Sequence, residues 1–225
     1  MMYDETFAEE IADVSAMWCA ASGDRSDLAR VASRVVEYNM PIISAVPEDV
    51  GMLWTWLEKT PVRIYSRFYL APNTASDVAT VSGLAVRINT AFKHGADGAQ
   101  IFLSAGDLDD FAAQIGSVRD DLFFNRDLII GVNIEDVATD GWAHLFDVMA
   151  RLRVAALVLV LARDDARQFD FAGRLYGALD AVDKIPCHLH FVLGARPNRM
   201  EQAVRLVRAM HPECAPNMRL FIPSE

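Results

Sequence analysis

The residues best suited to chemistry lie in one stretch, where two histidines precede a glycine and an arginine. His188 and His190 are two positions apart in an apolar segment typical of a β-strand, so their side chains share one face. Gly194 and Arg196 follow at a predicted strand-to-helix turn, where backbone N–H groups and a guanidinium can hold a phosphate. We therefore predict that all four residues contact substrate. The alternatives are a pair of hydrogen-bonded core histidines and a solvated arginine at a helix start.

Strands and helices must position these side chains, and the sequence predicts both in regular alternation. Apolar runs rich in β-branched residues recur roughly every 30 residues, and each is followed by an amphipathic segment, as βαβ units require. The predicted strands are Pro41–Val46, Val62–Tyr69, Ala99–Ser104, Leu128–Glu135, Ala156–Ala162, His188–Leu193 and Arg219–Ile222. The predicted helices are Asp27–Tyr38, Val50–Leu57, Ala75–Phe92, Leu108–Arg119, Trp142–Leu152, Phe169–Val182 and Arg199–Met210.

The first segment, Ile11–Trp18, decides the architecture. Its apolar residues fit a helix, which would leave a seven-stranded or open sheet, but it also lies one regular interval before the next strand. As a strand it brings the count to eight and closes a (β/α)8 TIM barrel, the fold class that we predict. No linker interrupts the pattern, so we expect a single domain over residues 1–225. The sequence stops at Ser224-Glu225, directly after the eighth strand, so the final helix is expected to be missing.

Composition excludes several classes of protein. The chain has 225 residues, of which 52% are hydrophobic, and this argues against disorder. A net charge of -10 argues against nucleic acid and anionic membranes as partners. The longest apolar run, Val154–Ala162, is too short to cross a bilayer. The cysteines are widely spaced and form no Cys-x-x-Cys pair, so we expect a cytoplasmic protein in a reducing compartment.

Several short motifs follow one another in an order found in one enzyme family. They are, in chain order, Asp13-Val14-Ser15-Ala16-Met17, Ile42-Ile43-Ser44-Ala45-Val46-Pro47, Gly95-Ala96-Asp97-Gly98, Val132-Asn133-Ile134-Glu135, Gly194-Ala195-Arg196, and Arg219-Leu220-Phe221 leading to Ser224. With these motifs the sequence resembles deoxyribose-phosphate aldolase, a class I aldolase on a (β/α)8 barrel, from about Ile11 to Ser224. The resemblance supports the strand interpretation of the first segment.

The reaction of that family requires a lysine amine that forms a Schiff base inside the barrel. The resemblance places this lysine near Val158, a second lysine near His190 and a proton-transferring aspartate at Gln100, and none of the three positions keeps the family's residue. The lysines of this chain are Lys59, Lys93 and Lys184. The predicted elements place them at the opposite, non-catalytic end of the barrel. We therefore expect Schiff-base chemistry to be lost, while a small carbonyl or sugar-like metabolite is still bound.

Without a lysine, the polar residues at the strand ends define the candidate site. We predict that His190 and Glu135 form an acid–base pair, with Gln100 as a third catalytic residue. The predicted substrate-binding residues are Asp13, Arg67, Ser104, Asn133, Arg163, His188, Gly194 and Arg196. For Arg67 the alternative is outward packing of its stem against the helices. No cofactor and no resident metal are expected.

Two other functions remain open. His188 and His190, with Glu135 or Asp13, could hold a divalent metal that polarises a carbonyl in a lyase or isomerase. The spacing His-x-His-x-x-x-Gly resembles barrels similar to hydroxymethylglutaryl lyase, although those carry Arg-Asp on the first strand, where this sequence has Asp13-Val14-Ser15. Alternatively, the chain is a non-catalytic protein that binds a metabolite or a protein partner.

The missing final helix also predicts an assembly. Each helix of a barrel covers the apolar outer face of the strands beside it, so the groove between the eighth and first strands would lack cover. Exposed apolar patches usually mark a contact surface. We expect a homodimer in which each subunit covers the groove of the other. The alternative is that residues 2–10 fold back across the groove, with Phe7 over the gap.

Overall fold

Eight parallel strands form a closed barrel in which neighbours in sequence are neighbours in space. The computed structural model describes residues 11, 13–21, 24–71, 78–161, 171–181, 188–194 and 197–224. The strands are β1 (Ser15–Trp18), β2 (Ile42–Ala45), β3 (Arg63–Tyr69), β4 (Gly98–Phe102), β5 (Asp127–Asn133), β6 (Ala156–Val160), β7 (His188–Val192) and β8 (Arg219–Pro223). The predicted (β/α)8 TIM barrel is confirmed. The ambiguous first segment contributes β1, which pairs with both β2 and β8.

Helices alternate with the strands and cover the outside of the barrel. They are α1 (Arg25–Glu37), α2 (Pro47–Leu57), α3 (Val78–Lys93), α4 (Leu108–Gly116), α5 (Arg119–Leu122), α6 (Gly141–Arg151), α7 (Phe171–Asp180) and α8 (Pro197–Met210). The predicted helix Leu108–Arg119 divides after Gly116, since glycine and the serine that follows it propagate a helix poorly. The predicted start of the third helix, at Ala75, lies outside the described residues. Within the described residues, no helix is both long and apolar enough to span a membrane.

Each strand alternates between the helices and the barrel interior, so both of its faces are buried. The outward-facing Leu128, Ile130 and Val132 of β5 are each at most 1% exposed and belong to the core beneath the helices. The inward-facing apolar residues form a separate cluster made of Ala16, Ile42, Tyr65, Phe102, Ile129, Ala156, Val158 and Phe221. Burial on both faces explains why the strands are near-continuous apolar runs in the sequence.

One ring fills much of the space near the C-terminal end of the interior. Phe102, the last residue of β4, is in register with Gly131 of β5. A Cβ atom at position 131 would lie 2.2 Å from Cδ1 of Phe102. Glycine is therefore required at position 131 because the phenyl ring of the neighbouring strand lies across it.

The seam between β8 and β1 is not an exposed groove. Met17 on the outer face of β1 and Leu220 on the outer face of β8 are each 1% exposed. Both belong to the same core cluster as residues of α1 and α8. The expectation of an open apolar groove at these residues is therefore wrong, and the homodimer loses the reason that was given for it.

The contact between Phe102 and Gly131 predicts a specific sensitivity. Gly131→Ala should lower the free energy of unfolding by about 1–3 kcal/mol, because the ring must move in a filled interior. Gly83→Ala is the matched control: it lies within α3 with nothing within 4 Å of its added Cβ, so it should be neutral or stabilise by up to about 1 kcal/mol. Urea denaturation measures both. Adding Phe102→Leu to Gly131→Ala should recover part of the loss, and strictly additive effects would contradict this account.

Candidate functional site

The C-terminal ends of the strands, where barrel enzymes build their active sites, surround a mouth lined with aromatic rings. The indole of Trp18 packs edge-on against Phe102 at 5.6 Å and against Phe221 at 5.7 Å between ring centroids. Tyr69 at the end of β3 stacks on Phe102 at 5.0 Å. We call this end of the interior the C-terminal mouth.

Arg67 of β3 lies beneath these rings and points into the barrel, so the alternative of outward packing is wrong. Its guanidinium lies 4.0 Å from the centroid of the Trp18 ring. Nη1 donates to the carbonyl oxygen of Ser44 at 2.8 Å, and Nη2 donates to that of Cys19 at 2.5 Å. One side chain therefore ties the ends of β1 and β2 to β3.

The charge of Arg67 has no direct counterion among the residues that the structure describes. The residue is only 4% exposed, yet no carboxylate in the described part of the chain forms an ion pair with it, and its Nε has no hydrogen-bond partner there. Burial lowers the pKa of Arg67, and the nearby groups Tyr69, Cys19 and Asp49 oppose this shift. Arginine still remains protonated at neutral pH. A buried guanidinium of this kind favours a bound anion, because burying an uncompensated charge is costly.

Gln100 lies beside Arg67, as its register partner on β4. It is fully buried, and its Oε1 accepts a hydrogen bond from the hydroxyl of Ser44 at 2.5 Å. Its Nε2 has no partner among the residues that the structure describes. Two N–H donors, one on Arg67 and one on Gln100, are thus available on neighbouring strands inside the barrel.

The position implied for the Schiff-base lysine lies in an apolar layer. Gly131, Val158 and His190 are in register across β5, β6 and β7. Val158 is fully buried in the inward-facing cluster, and His190 packs edge-on against Phe221 at 5.7 Å. Burial lowers the pKa of His190 to about 3, assisted by the charges of Arg219 and His188. The imidazole is therefore neutral at physiological pH.

The described lysines lie far from this layer. Lys93 is the last residue of α3, and Lys59 follows the end of α2. Since each helix returns the chain to the start of the next strand, both residues lie at the N-terminal end of the barrel, where the sequence predicted them. Lys184 lies outside the described residues.

The predicted acid–base pair is not in register. His190 is level with Gly131 on β5, whereas Glu135 lies four residues further along, in the turn after that strand. Asn133 closes β5 at the C-terminal mouth, and its Oδ1 accepts a hydrogen bond from the Glu135 backbone at 3.1 Å. The predicted strand Leu128–Glu135 ends two residues early for this reason.

Other predicted contacts are placed by local structure. Ser104 accepts a hydrogen bond from the Gly106 backbone at 3.2 Å and begins a 3-10 turn. Asp13 is exposed and precedes β1, so it lies at the N-terminal end of the barrel. Gly194 follows β7 with a φ of 64°, a conformation that favours glycine. The predicted contacts Arg163 and Arg196 lie outside the described residues.

His188 and His190 share the inward face, as their spacing predicted, but they lie at different depths. His188 is the first residue of β7 and is exposed at the opposite end of the interior from the aromatic rings. We call this end the N-terminal mouth. Within the described ranges, no group of three or more His, Cys, Asp or Glu side chains is arranged to hold a metal ion. The hypothesis of a metal site with Glu135 or Asp13 therefore gains no support from the geometry.

Sequence reasoning missed three residues of this site. Trp18, Phe102 and Ser44 supply its aromatic lining and the partner of Gln100. Their positions could have indicated them, because each is an inward-facing residue of its strand, at or near the C-terminal end. Their types suggested ordinary core residues, so the parity alone could have identified them.

The comparisons with known proteins agree with this architecture. No protein-family model matches the sequence, and no curated protein is detectably similar to it. A candidate deoxyribose-phosphate aldolase from Toxoplasma gondii ME49 is similar in structure, with a TM-score of 0.71 at 9% identity over 97% of this chain and 90% of that one. The tetrameric deoxyribose phosphate aldolase from Aeropyrum pernix has a TM-score of 0.67 at 11% identity, over 98% and 88% of the two chains.

The same fold also occurs with another chemistry. A D-psicose 3-epimerase crystallised with D-fructose has a TM-score of 0.61 at 10% identity, over 94% of this chain and 85% of that one. At such identities the likeness shows the fold alone. The predicted resemblance to deoxyribose-phosphate aldolase is thus confirmed as a shared barrel, and the function must be argued from the residues of the site.

The environment of His190 predicts an acid sensitivity. Its pKa falls from 6.5 to about 3 on folding, so the unfolded chain takes up a proton first as the pH falls, and native stability decreases below about pH 6.5. His190→Asn removes this contribution. The stability advantage of the wild type over the variant should therefore shrink by about 2–3 kcal/mol between pH 7 and pH 4.5. Urea titrations at several pH values measure it.

The control for this experiment is His144→Asn. His144 is a surface residue that pairs with Asp109, so its substitution should leave the acid dependence attributed to His190 in place. Parallel stability curves for the wild type and His190→Asn would contradict the buried neutral imidazole.

Proposed function

We propose that this chain binds a small anionic metabolite, of a carbonyl or sugar-like kind, at its C-terminal mouth and does not perform class I aldol chemistry. The observation that carries the proposal is Arg67, a buried guanidinium that forms no ion pair with any carboxylate of the described chain. The ligand would supply the direct ion pair that no carboxylate of the described chain forms with Arg67.

The surroundings of Arg67 suit such a ligand. Gln100 offers a second N–H donor on the neighbouring strand. Trp18, Tyr69 and Phe102 present ring faces and edges at the opening, which can pack against an apolar or sugar-ring surface. Asn133 borders the same mouth. A carboxylate or phosphate held at the guanidinium would direct the rest of the molecule toward these rings.

The loss of Schiff-base chemistry is supported by what replaces the lysine. Val158 occupies that position in an apolar layer with Phe221 nearby, and no described lysine reaches the interior. His190 is neutral and level with Val158, so it can donate or accept a hydrogen bond. It cannot supply an amine. If the chain is an enzyme, a lyase or isomerase reaction must use His190, Gln100 and Glu135 without a covalent amine intermediate.

A non-catalytic binding protein is the second candidate, favoured by the separation of His190 and Glu135 along the barrel. The metal-dependent lyase is less favoured, because the described acidic and histidine side chains do not converge. The cytoplasmic location is a further part of the proposal that rests on the sequence.

The replacement of the implied Schiff-base lysine by Val158 predicts the outcome of a trapping experiment. Incubation with acetaldehyde or with a deoxyribose phosphate, followed by borohydride, should give no stable adduct, because no lysine in the described part of the chain lies in the interior to form the imine. Intact-protein mass spectrometry measures it, with an active deoxyribose-phosphate aldolase as the positive control. A mass increase that peptide mapping assigns to a lysine would contradict the proposal.

The role of Arg67 predicts how ligand response changes on substitution. In a melting-temperature screen of small carbonyl and sugar-like compounds, anionic members should stabilise the wild type, by about 2.7 kcal/mol at a hundred times the dissociation constant. Arg67→Gln should abolish this response, and Arg67→Lys should weaken it because the forked geometry is lost.

The matched control for this screen is Arg151→Gln, an exposed arginine on α6. It should respond to ligands as the wild type does. An unchanged response in Arg67→Gln, in protein shown to be folded, would contradict the proposed site. If Arg67→Gln is too unstable to test, Arg67→Lys replaces it, and an unchanged ligand response in that variant would contradict the proposed site.

A further inference from the structure

The N-terminal mouth, at the opposite end of the barrel, carries a second group of inward-facing charged residues. Asp127 at the start of β5 accepts hydrogen bonds from Arg63 at 2.8 Å and from the Tyr65 hydroxyl at 2.9 Å. Nearby, Arg126 pairs with Asp97 at 3.6 Å. Each of these two carboxylates therefore already has an arginine partner.

Arg219 at the start of β8 has no carboxylate partner in the described part of the chain. Its Nη1 donates to the main-chain oxygens of Pro216 at 3.0 Å and Met218 at 2.6 Å. No acidic side chain of the described chain forms an ion pair with it, and its buried Nε has no hydrogen-bond partner there. Because Asp127 and Asp97 already pair with other arginines, neither of them neutralises the charge of Arg219.

Two imidazoles border the same guanidinium. His190 is the register partner of Arg219 on the neighbouring strand, and His188 lies on the same face, one pleat nearer to solvent. After burial, the charge of Arg219 is the largest cause that lowers the pKa of each histidine. The three side chains are therefore within electrostatic range of one another. Nδ1 of His190 is buried without a partner among the described residues, in a side chain that is only 2% exposed.

We propose that Arg219, His188 and His190 form a binding site for a small oxyanion, a phosphate or a carboxylate, at the N-terminal mouth of the barrel. The guanidinium Nε and one N–H of each neutral imidazole can donate to such an ion, and the charge of Arg219 favours an anion over a cation. His188 is exposed at the mouth, so the outer side of the site borders solvent. The site does not depend on the proposed function, since Arg67 and the aromatic rings lie at the other end.

A purely structural role for Arg219 is the competing explanation. In that case the guanidinium only ties the 3-10 turn Ala215–Asn217 to the start of β8 through its two carbonyl contacts. This role would make the residue important for stability, and it would leave the histidines indifferent to anions. Whether the imidazole resonances shift when an anion is added therefore distinguishes the two explanations.

Histidine NMR on the full chain gives the direct test, since the protein has only five histidines. Titration with inorganic phosphate at constant ionic strength should shift the ring resonances of His188 and His190 saturably, with one common dissociation constant. The pKa of His188 should rise in the presence of phosphate, because the bound anion favours the imidazolium. His94 and His144 are internal controls and should not follow the same curve.

Acetate replaces phosphate in a second titration, and the tighter ion identifies which oxyanion the site prefers. Non-saturable shifts, or equal shifts of all five histidines, would overturn the proposal, because both indicate a general salt effect.

Variants test the guanidinium itself. Arg219→Gln and His188→Asn should each weaken phosphate binding by about tenfold or more, the loss expected for a charge-assisted hydrogen bond. Arg126→Gln, a charge change at the same mouth, is the matched control and should retain most of the affinity. Unchanged affinity in folded Arg219→Gln would overturn the site and leave the turn contact as its role. If Arg219→Gln does not fold, His188→Asn decides alone: wild-type affinity there overturns the proposal.

Discussion

Closure of the eight strands is the constraint on which the rest of this structure depends. Every second side chain must enter an interior that opens only at its two mouths, so the residues in the middle determine what each end can do. Here inward-facing residues such as Ile129, Ala156 and Val158 make the middle apolar. A charged amine at that level would lose its hydration without gaining a partner. Polar chemistry is consequently confined to two separate ends.

The fold could be predicted because it follows from periodicity. Alternating apolar runs and amphipathic segments recur at βαβ spacing, and closure required only that Ile11–Trp18 supply one more strand. Strand parity likewise placed His188 and His190 on one face, and the structure confirms this. The sequence analysis predicted that the lysines lie at the non-catalytic end of the barrel and not in its interior. The positions of Lys59 and Lys93 agree with this prediction. These are properties of single elements, which sequence reasoning can reach.

Depth and direction could not be predicted, since they depend on how neighbouring strands are staggered. The alternation of side chains along a strand does not show that His188 lies at the N-terminal mouth. Nor does it show that Glu135 lies in a turn beyond the C-terminal end of β5. Nor could the sequence show that Gly131 leaves room for the ring of Phe102, because that contact joins two strands across one register pair. The apolar cover of the β8–β1 seam was misjudged for a similar reason, because the order of elements in the sequence does not reveal which residues pack over Met17 and Leu220.

Arg67 and Arg219, neither of which forms an ion pair within the described chain, are best understood together. Arg67 and Arg219 lie on opposite sides of the apolar middle, each bonded to main-chain oxygens at the end or start of strands. Main-chain oxygens orient a guanidinium but neutralise none of its charge, so each arginine keeps a net attraction for anions. Arg67 is the more deeply buried and gains more from a counterion, because the surrounding medium screens it less. Arg219 borders solvent, which weakens its attraction for an anion at neutral pH. It also lies beside two histidines, and the attraction of this mouth for an anion becomes stronger as His188 becomes protonated. The same residue type, placed by one fold at two depths, therefore favours a retained ligand at one mouth and a readily exchanged ion at the other.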